Sequence, residues 1–425
     1  MRYRNRVLGL LSLLIVITYL DRVCMSVAGP RIQDSLHLGP AAWGWVTGIF
    51  TISYAAFEIP SGALGDRIGA RRVLTRIVLW WSAFTSITGL AMGYSSLLFT
   101  RLLFGVGEAG AFPNTSIVVA RWFPVPERGR AFGIILAAAQ IGGAISPLLV
   151  VPIQIHYGWR ASFYVFGILG VVWSAIWYTW FRDSPQEKPD VPQSERDESP
   201  APIAHIHRSL PWAIALRSRN FWAVMITAFS CVYTYNFFQS WFHTYLVKAR
   251  GYSERDLLLS SLPFVLAACA NLAGGLASHL LVQRIGLRWG RCGLGVVGLA
   301  VAAACTMAVM FTRSPPMALA LLSLTYGAIT LQQPIMFAVC LDVGGAYAGA
   351  MVGAMNMSSQ IGGFIGSLVF GYLVAHTGNY NLPFLPMAAL LVLGTYLWLR
   401  IDPTEPLTPV IMSGDLAAAL PTHAD

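Results

Sequence analysis

Twelve long apolar runs, each bounded by charged or turn-forming residues, dominate this 425-residue chain and dictate its solvent. They lie near residues 7–29, 43–65, 73–93, 97–120, 130–153, 160–181, 220–246, 257–283, 289–311, 316–340, 347–375 and 382–400. A bilayer core about 30 Å thick needs roughly 20 apolar residues per helix, and each run meets that length. Only 11% of the residues are charged, against about 25% in ordinary soluble domains, so water-facing surface is missing. That excludes a soluble enzyme, a disordered chain and a small disulfide scaffold. The expected architecture is an all-α integral membrane protein with twelve transmembrane helices.

Residues 183–219 break the pattern. They include DSPQEKPDVPQSERDESPAP, rich in Pro, Ser and acid, which cannot bury a core of its own. The expected organisation is a six-helix bundle over 1–182, a cytoplasmic linker over 183–219, a second bundle over 220–401 and a cytoplasmic tail over 402–425. Lys and Arg flank the spans asymmetrically. With both termini inside, the outer loops hold only Arg31, Arg160, Lys248, Arg250, Arg255 and Arg313 of the 28. This positive-inside bias predicts cytoplasmic termini and explains the net charge of +9, leaving no case for nucleic-acid binding. The N-terminal arginines before span 1 imitate a secretory signal. Asp21-Arg22 interrupts the run and no small-residue cleavage site follows, so a retained helix is expected. The six cysteines show no metal-ligand spacing, and no metal or cofactor is expected.

The halves carry traces of each other. QIGG occurs at 140–143 in span 5 and at 360–363 in span 11. GALGDRIGARR follows span 2, and GGLASHLLVQRIGLRWGR follows span 8. Matches at corresponding places point to a duplicated six-span unit, an architecture of transporters with a site between the halves.

Ionisable residues within the spans are the candidate machinery. Each costs about 2.5–3.5 kcal/mol at mid-membrane, so Asp21, Arg22, Arg101 and Glu108 unpaired would oppose insertion by very roughly 10 kcal/mol. They persist only if paired or facing a wet cavity. Arg101 and Glu108 are two helical turns apart on one face, about 10 Å. Asp21 and Arg22 diverge by about 100° and need partners on other helices. Crossed pairs, Asp21 with Arg101 and Arg22 with Glu108, are the expected solution. Burial favours the protonated carboxyl while a nearby arginine favours the ionised one, so opening and closing a cavity can load and release a proton. Arginine suits a carboxylate substrate because its planar fork stays charged.

GALGDRIGARR fits the G-x-x-x-D-R-x-G-x-R-R loop signature, and on it the chain resembles the major facilitator superfamily. Within it, Tyr19-Leu-Asp21-Arg22, RLLFGVGEAGAFP (101–113), FFQSWFHTYL (237–246) and Asn356 make it similar to the anion:cation symporters. These include bacterial sugar-acid transporters and sialin-type carriers. The resemblance implies two pseudo-symmetric six-helix bundles, with Asp21 and Glu108 carrying protons, Arg22 anchoring a carboxylate and Arg101 as charge partner. Tyr19, Tyr54 and Asn356 match positions facing the cavity. Gln140, Tyr235, Asn236, Gln239, Gln333 and Ser359 are further candidates for substrate hydroxyls, as are Trp241 and Gln332. Gly62, Asp66, Arg67, Gly69, Arg71 and Arg72 form the loop signature and are expected to lock the inner gate. The second copy has His279 where an Asp is usual. Glu58, a fifth charge at depth in FEIP, receives no role from the resemblance.

The resulting expectation is a monomeric, multi-pass carrier in a bacterial inner membrane. It imports a small organic anion, a hexuronate, aldonate or aldarate, with a proton as coupling ion. An exchanger or efflux carrier is the competing reading, although span 5 reads GGAISP and lacks the G-x-x-x-G-P form of exchangers. A membrane-embedded enzyme or receptor is remote, since no nucleophile–base spacing or metal cluster stands out.

Overall fold

The structure, a computed structural model, describes residues 2–198, 212–253, 255–405 and 407. Among the described residues there are helices and turns and no strands, as lipid demands: only a helix satisfies its own backbone within one segment. Twelve helices occupy the places of the twelve apolar runs. In the first half they are α1 (Tyr3–Ser35), α2 (Pro40–Ile68), α3 (Ala70–Thr88), α4 (Tyr94–Trp122), α5 (Val125–Tyr157) and α6 (Trp159–Trp180). In the second they are α7 (Arg219–Ser240), α8 (Leu262–Ile285), α9 (Leu287–Phe311), α10 (Pro315–Gly344), α11 (Ala348–Thr377) and α12 (Phe384–Arg400). Nine described segments are long and apolar enough to cross a membrane on composition alone. The other three, α2, α3 and α12, pack among these: α2 against α4 and α11, α3 against α6, α12 against α7 and α9.

The duplication is visible in the turns. Gly69 (φ +88°) joins α2 to α3, and Gly286 (φ +85°) joins α8 to α9, so each tight reversal uses a backbone conformation open to glycine. In the first half Asp183, just past α6, accepts a hydrogen bond from the Arg71 backbone N–H at the start of α3 (2.9 Å). In the second, Asp402, just past α12, pairs with Arg288 at the start of α9 (3.1 Å). The fourth helix of each half is broken: α4 at Ala109–Gly110, and α10 at Gln332 just before Pro334.

Three apolar clusters set the shape. One belongs to the first half and includes Leu11, Trp81, Phe104, Trp122 and Trp177. A second belongs to the other half and includes Val224, Leu299, Met336, Met355 and Trp398. The third is shared, joining Val23, Trp43 and Phe163 to Phe237, Trp241 and Phe370. The shared cluster lies at the end of the bundle opposite the chain termini. There Trp43 Nε1 donates to the Ser240 carbonyl (3.0 Å), Thr47 Oγ1 to Ser367 Oγ (3.2 Å) and Gln33 Nε2 to Thr244 Oγ1 (2.8 Å). Helices α2 and α11 approach so closely that a Cβ on Gly371 would stand 2.6 Å from the Pro40 carbonyl oxygen. The halves are thus sealed together at one end, and toward the termini each keeps its own core.

The described part of the linker does not hang free. Short turns at Pro185–Glu187 and Gln193–Asp197 dock on the first bundle. The Glu195 carboxylate accepts from the Tyr3 and Arg4 backbone N–H groups (2.8 and 3.2 Å), capping the exposed donors that open α1. Arg4 meanwhile pairs with Glu127 (3.1 Å) and Glu198 (2.8 Å). A segment too polar to form a core is held by charge and by helix-end donors instead. Residues 199–211 of the linker, and 406 and 408–425 of the tail, lie outside the described residues.

Candidate functional site

The site is assembled where α4 packs against α2 beside α1, and α1 and α2 in turn meet the second bundle. Helix α1 presents Tyr19, Asp21 and Arg22. Helix α2 presents Phe50, Tyr54 and Glu58, one turn apart each, on a single face. Helix α4 presents Arg101 and, in the last residue before its break, Glu108. Asp21, Arg101 and Glu108 are buried to 2%, 4% and 1% exposure, and the Arg22 side chain keeps 16%.

One expected crossed pair is present. Arg22 Nε donates to Glu108 Oε1 at 2.5 Å, a buried, charge-assisted contact. The other is not formed: among the described residues both Asp21 carboxylate oxygens are buried with no hydrogen-bond partner. Arg101 lies near enough to influence Asp21 but directs its guanidinium over the rings of Phe50 (4.9 Å) and Phe104 (4.5 Å), and its Nε is unpartnered. The arginine therefore trades an ion pair for aromatic faces, a combination favoured out of water. Arg22 is caged by rings as well, 5.4 Å from the centre of Tyr19, 5.3 Å from Phe50 and 4.8 Å from Tyr54. Among the described residues its Nη2 has no partner, and neither does Glu108 Oε2. The arrangement thus holds an arginine with a free donor, and three carboxylate oxygens able to take a proton.

The second bundle contributes a tyrosine pair. The Tyr235 and Tyr326 rings lie 5.2 Å apart, tilted by 30°, and Gln239 Nε2 donates to both hydroxyls (3.2 and 3.1 Å). Gln239 Oε1 and Gln140 Oε1 are buried without partners among the described residues, so both can receive a ligand hydroxyl. Asn236 is differently placed: its amide donates to the Gly363 carbonyl (2.8 Å) and to Ser367 Oγ (2.6 Å), binding α7 to α11. Ser359 is buried and turned to Met355 Sδ at 3.6 Å. Gln332 donates to Cys231 Sγ (3.2 Å), and Trp241 stacks on Phe370 in the seal. Asn356 and Gln333 are half-buried. Glu58 is half-buried and forms no ion pair or hydrogen bond among the described residues.

Several participants escaped the sequence reading. Phe50 stands one turn before Tyr54, so the i, i+4, i+8 series of Phe50, Tyr54 and Glu58 could have disclosed it. Tyr326 lies in LSLTYGAIT, an ordinary apolar run, and carries no such mark. His243 bridges the halves in the sealed end, between Ser26 Oγ (2.9 Å) and Ser260 Oγ (2.8 Å).

The loop signature lies at the terminal end. Arg71 hydrogen-bonds the Tyr178 carbonyl (2.9 Å) and covers the Tyr178 ring, while Arg67 and Arg72 are exposed. Gly62 packs near Pro113, and the Asp66 side chain lies outside the described residues. In the second copy His279 contacts Gln283 (3.2 Å), and Arg291 pairs with Asp342 (3.1 Å). Asn114, which reads as a glycosylation sequon by letters, is buried and tied to the Gly110 carbonyl (2.8 Å).

Two sealed-at-one-end bundles around buried charges define a membrane transporter. The comparisons agree: residues 11–367 match the Major Facilitator Superfamily, and the chain belongs to that family. It is 34% identical over 429 residues to a probable sulfoacetate transporter of Cupriavidus necator, covering 98% of each chain. It is 31% identical over 395 residues to a hexuronate transporter of Bacillus subtilis, covering 91% of each. A D-galactonate transporter of Escherichia coli is 28% identical over 392 residues, with 89% of this chain and 90% of that one covered. In fold, the chain matches a bacterial homologue of the human lysosomal transporter Spinster, solved in an inward-facing and occupied conformation. The TM-score is 0.76 at 19% identity, with 95% of this chain and 97% of that one covered.

Proposed function

We propose that this protein imports a small organic acid, a sugar acid such as a hexuronate, aldonate or aldarate, together with a proton, by alternating access. One observation carries the reading. A partly accessible arginine adjoins carboxylate oxygens that lack partners among the described residues, between two bundles that share a core at one end. In this reading the positive-inside bias puts the termini in the cytoplasm, so the end away from the shared core faces inward. Arg22 receives the acid group. Gln140, Gln239, Tyr19, Tyr54, Tyr235 and Asn356 receive hydroxyls. Protonation of Glu108 weakens its hold on Arg22 and frees the guanidinium for substrate. Asp21, without a partner, takes or yields a proton as the surrounding cavity dries or wets. The named relatives carrying a sulfonated acid, a hexuronate and an aldonate support the acid class.

Purified protein in liposomes tests this. Labelled galactonate, glucuronate and sulfoacetate are offered with and without an inward proton gradient. At least one should accumulate at least about tenfold above its equilibrium level with the gradient, one pH unit corresponding to about 1.4 kcal/mol per proton, and only equilibrate without it. Equal accumulation in both conditions would argue against proton coupling, and uptake of none of the three against the acid class offered.

A further inference from the structure

The charges of the site do not balance, and the imbalance has an address. Asp21, Glu58 and Glu108 set three carboxyls against the two guanidiniums of Arg22 and Arg101. Glu108 holds Arg22, and Asp21 is buried to 2% exposure. Glu58 is left over. It stands one turn beyond Tyr54 on α2, about 6 Å along the axis, on the side toward the termini. Tyr54 is the ring that lies against the Arg22 guanidinium at 4.8 Å. A cationic pole and an anionic pole thus flank one aromatic ring, and the anionic pole, though near enough to feel Arg22, makes no hydrogen bond or ion pair among the described residues.

Resting on the reading of the site given above, we propose that Glu58 selects organic acids that also carry an ammonium group. The acid end lies on Arg22, the amine on Glu58, and the short carbon chain crosses the Tyr54 ring. A carboxylate with a cation beside it loses far less on desolvation than one left alone. The count of charges points the same way. With a zwitterion bound, one transported proton makes the occupied site neutral when water leaves. A simple monoanion would require two. The substrate class is therefore an amino-bearing acid, such as an aminated sugar acid or a short aminosulfonate.

Matched pairs decide the matter: 2-aminoethanesulfonate with 2-hydroxyethanesulfonate, and an aldonate with its 2-amino-2-deoxy counterpart. Affinities are measured by calorimetry on detergent-purified full-length protein. The wild type should bind the amino member of at least one pair at least about tenfold more tightly than its hydroxy partner. In Glu58→Gln that member should weaken at least tenfold while its hydroxy partner changes less than threefold. Equal or tighter binding of the hydroxy members by the wild type overturns the proposal, and needs no variant to fold. Survival of the amino preference in Glu58→Gln overturns it too. If hydroxy acids bind through Arg22 without any amino preference, this inference fails and the transport reading stands. If no acid of either kind binds, both fail.

Discussion

Arg22→Ala should weaken the binding of any carboxylate or sulfonate ligand by roughly a hundredfold or more, read as the loss of ligand-induced thermal stabilisation or by calorimetry. The Arg22 side chain keeps 16% of its surface accessible, and its Nη2 is buried with no partner among the described residues. Truncating one partner of a buried hydrogen-bonded charge pair costs about 2–5 kcal/mol, which is roughly thirtyfold to several-thousandfold. Part of that cost is Glu108 itself, left buried with neither oxygen satisfied. Arg22→Lys separates charge from shape. It keeps a cation among Tyr19, Phe50 and Tyr54 but loses the planar fork, so an intermediate loss of about tenfold is expected. Affinity within threefold of wild type in Arg22→Ala would remove this residue from the substrate site.

Glu108→Gln should separate transport from accumulation. The amide oxygen can still accept from Arg22 Nε, so the 2.5 Å contact survives in kind and the helices stay in register. What is lost is a group that changes charge. Accumulation driven by a proton gradient should fall at least about tenfold, as expected when the coupled ion no longer contributes its roughly 1.4 kcal/mol per pH unit. Exchange of labelled for unlabelled substrate across the same membranes should continue at a third or more of the wild-type rate. Full accumulation in Glu108→Gln would assign coupling elsewhere, with Asp21 the first alternative.

The fold was legible because lipid leaves so few choices. An apolar run of membrane length must be a helix, and the linker had to be polar for the same reason. The interruptions were harder to read. Gly110 and Pro334 are unremarkable letters in membrane helices, yet they break α4 and α10 at matching places, and Glu108 owes its position to the first break. The docking of 185–198 on the start of α1 was hidden too. Its stability comes from carboxylates meeting helix-end N–H groups, and such contacts leave no periodicity.

In the site, the charges could be read from their cost alone, and the Arg22–Glu108 contact followed from the need for a partner on another helix. Asp21 shows where that logic stops. A pairing rule counts charges and ignores rings, whereas Arg101 finds Phe50 and Phe104 at 4.9 and 4.5 Å. Asn236 illustrates the other limit. Spacing cannot distinguish an amide that faces a cavity from one that bridges two helices, and here it holds Gly363 and Ser367.

Liposomes loaded with a pH-sensitive dye give the most direct test. With no pH gradient imposed, adding an accepted organic acid outside should acidify the lumen in wild-type vesicles, because each inward passage brings a hydrogen ion. Vesicles holding Glu108→Gln should show no such change. Entry of the same acid without any change in internal pH in wild-type vesicles would contradict the role given to these buried carboxyls.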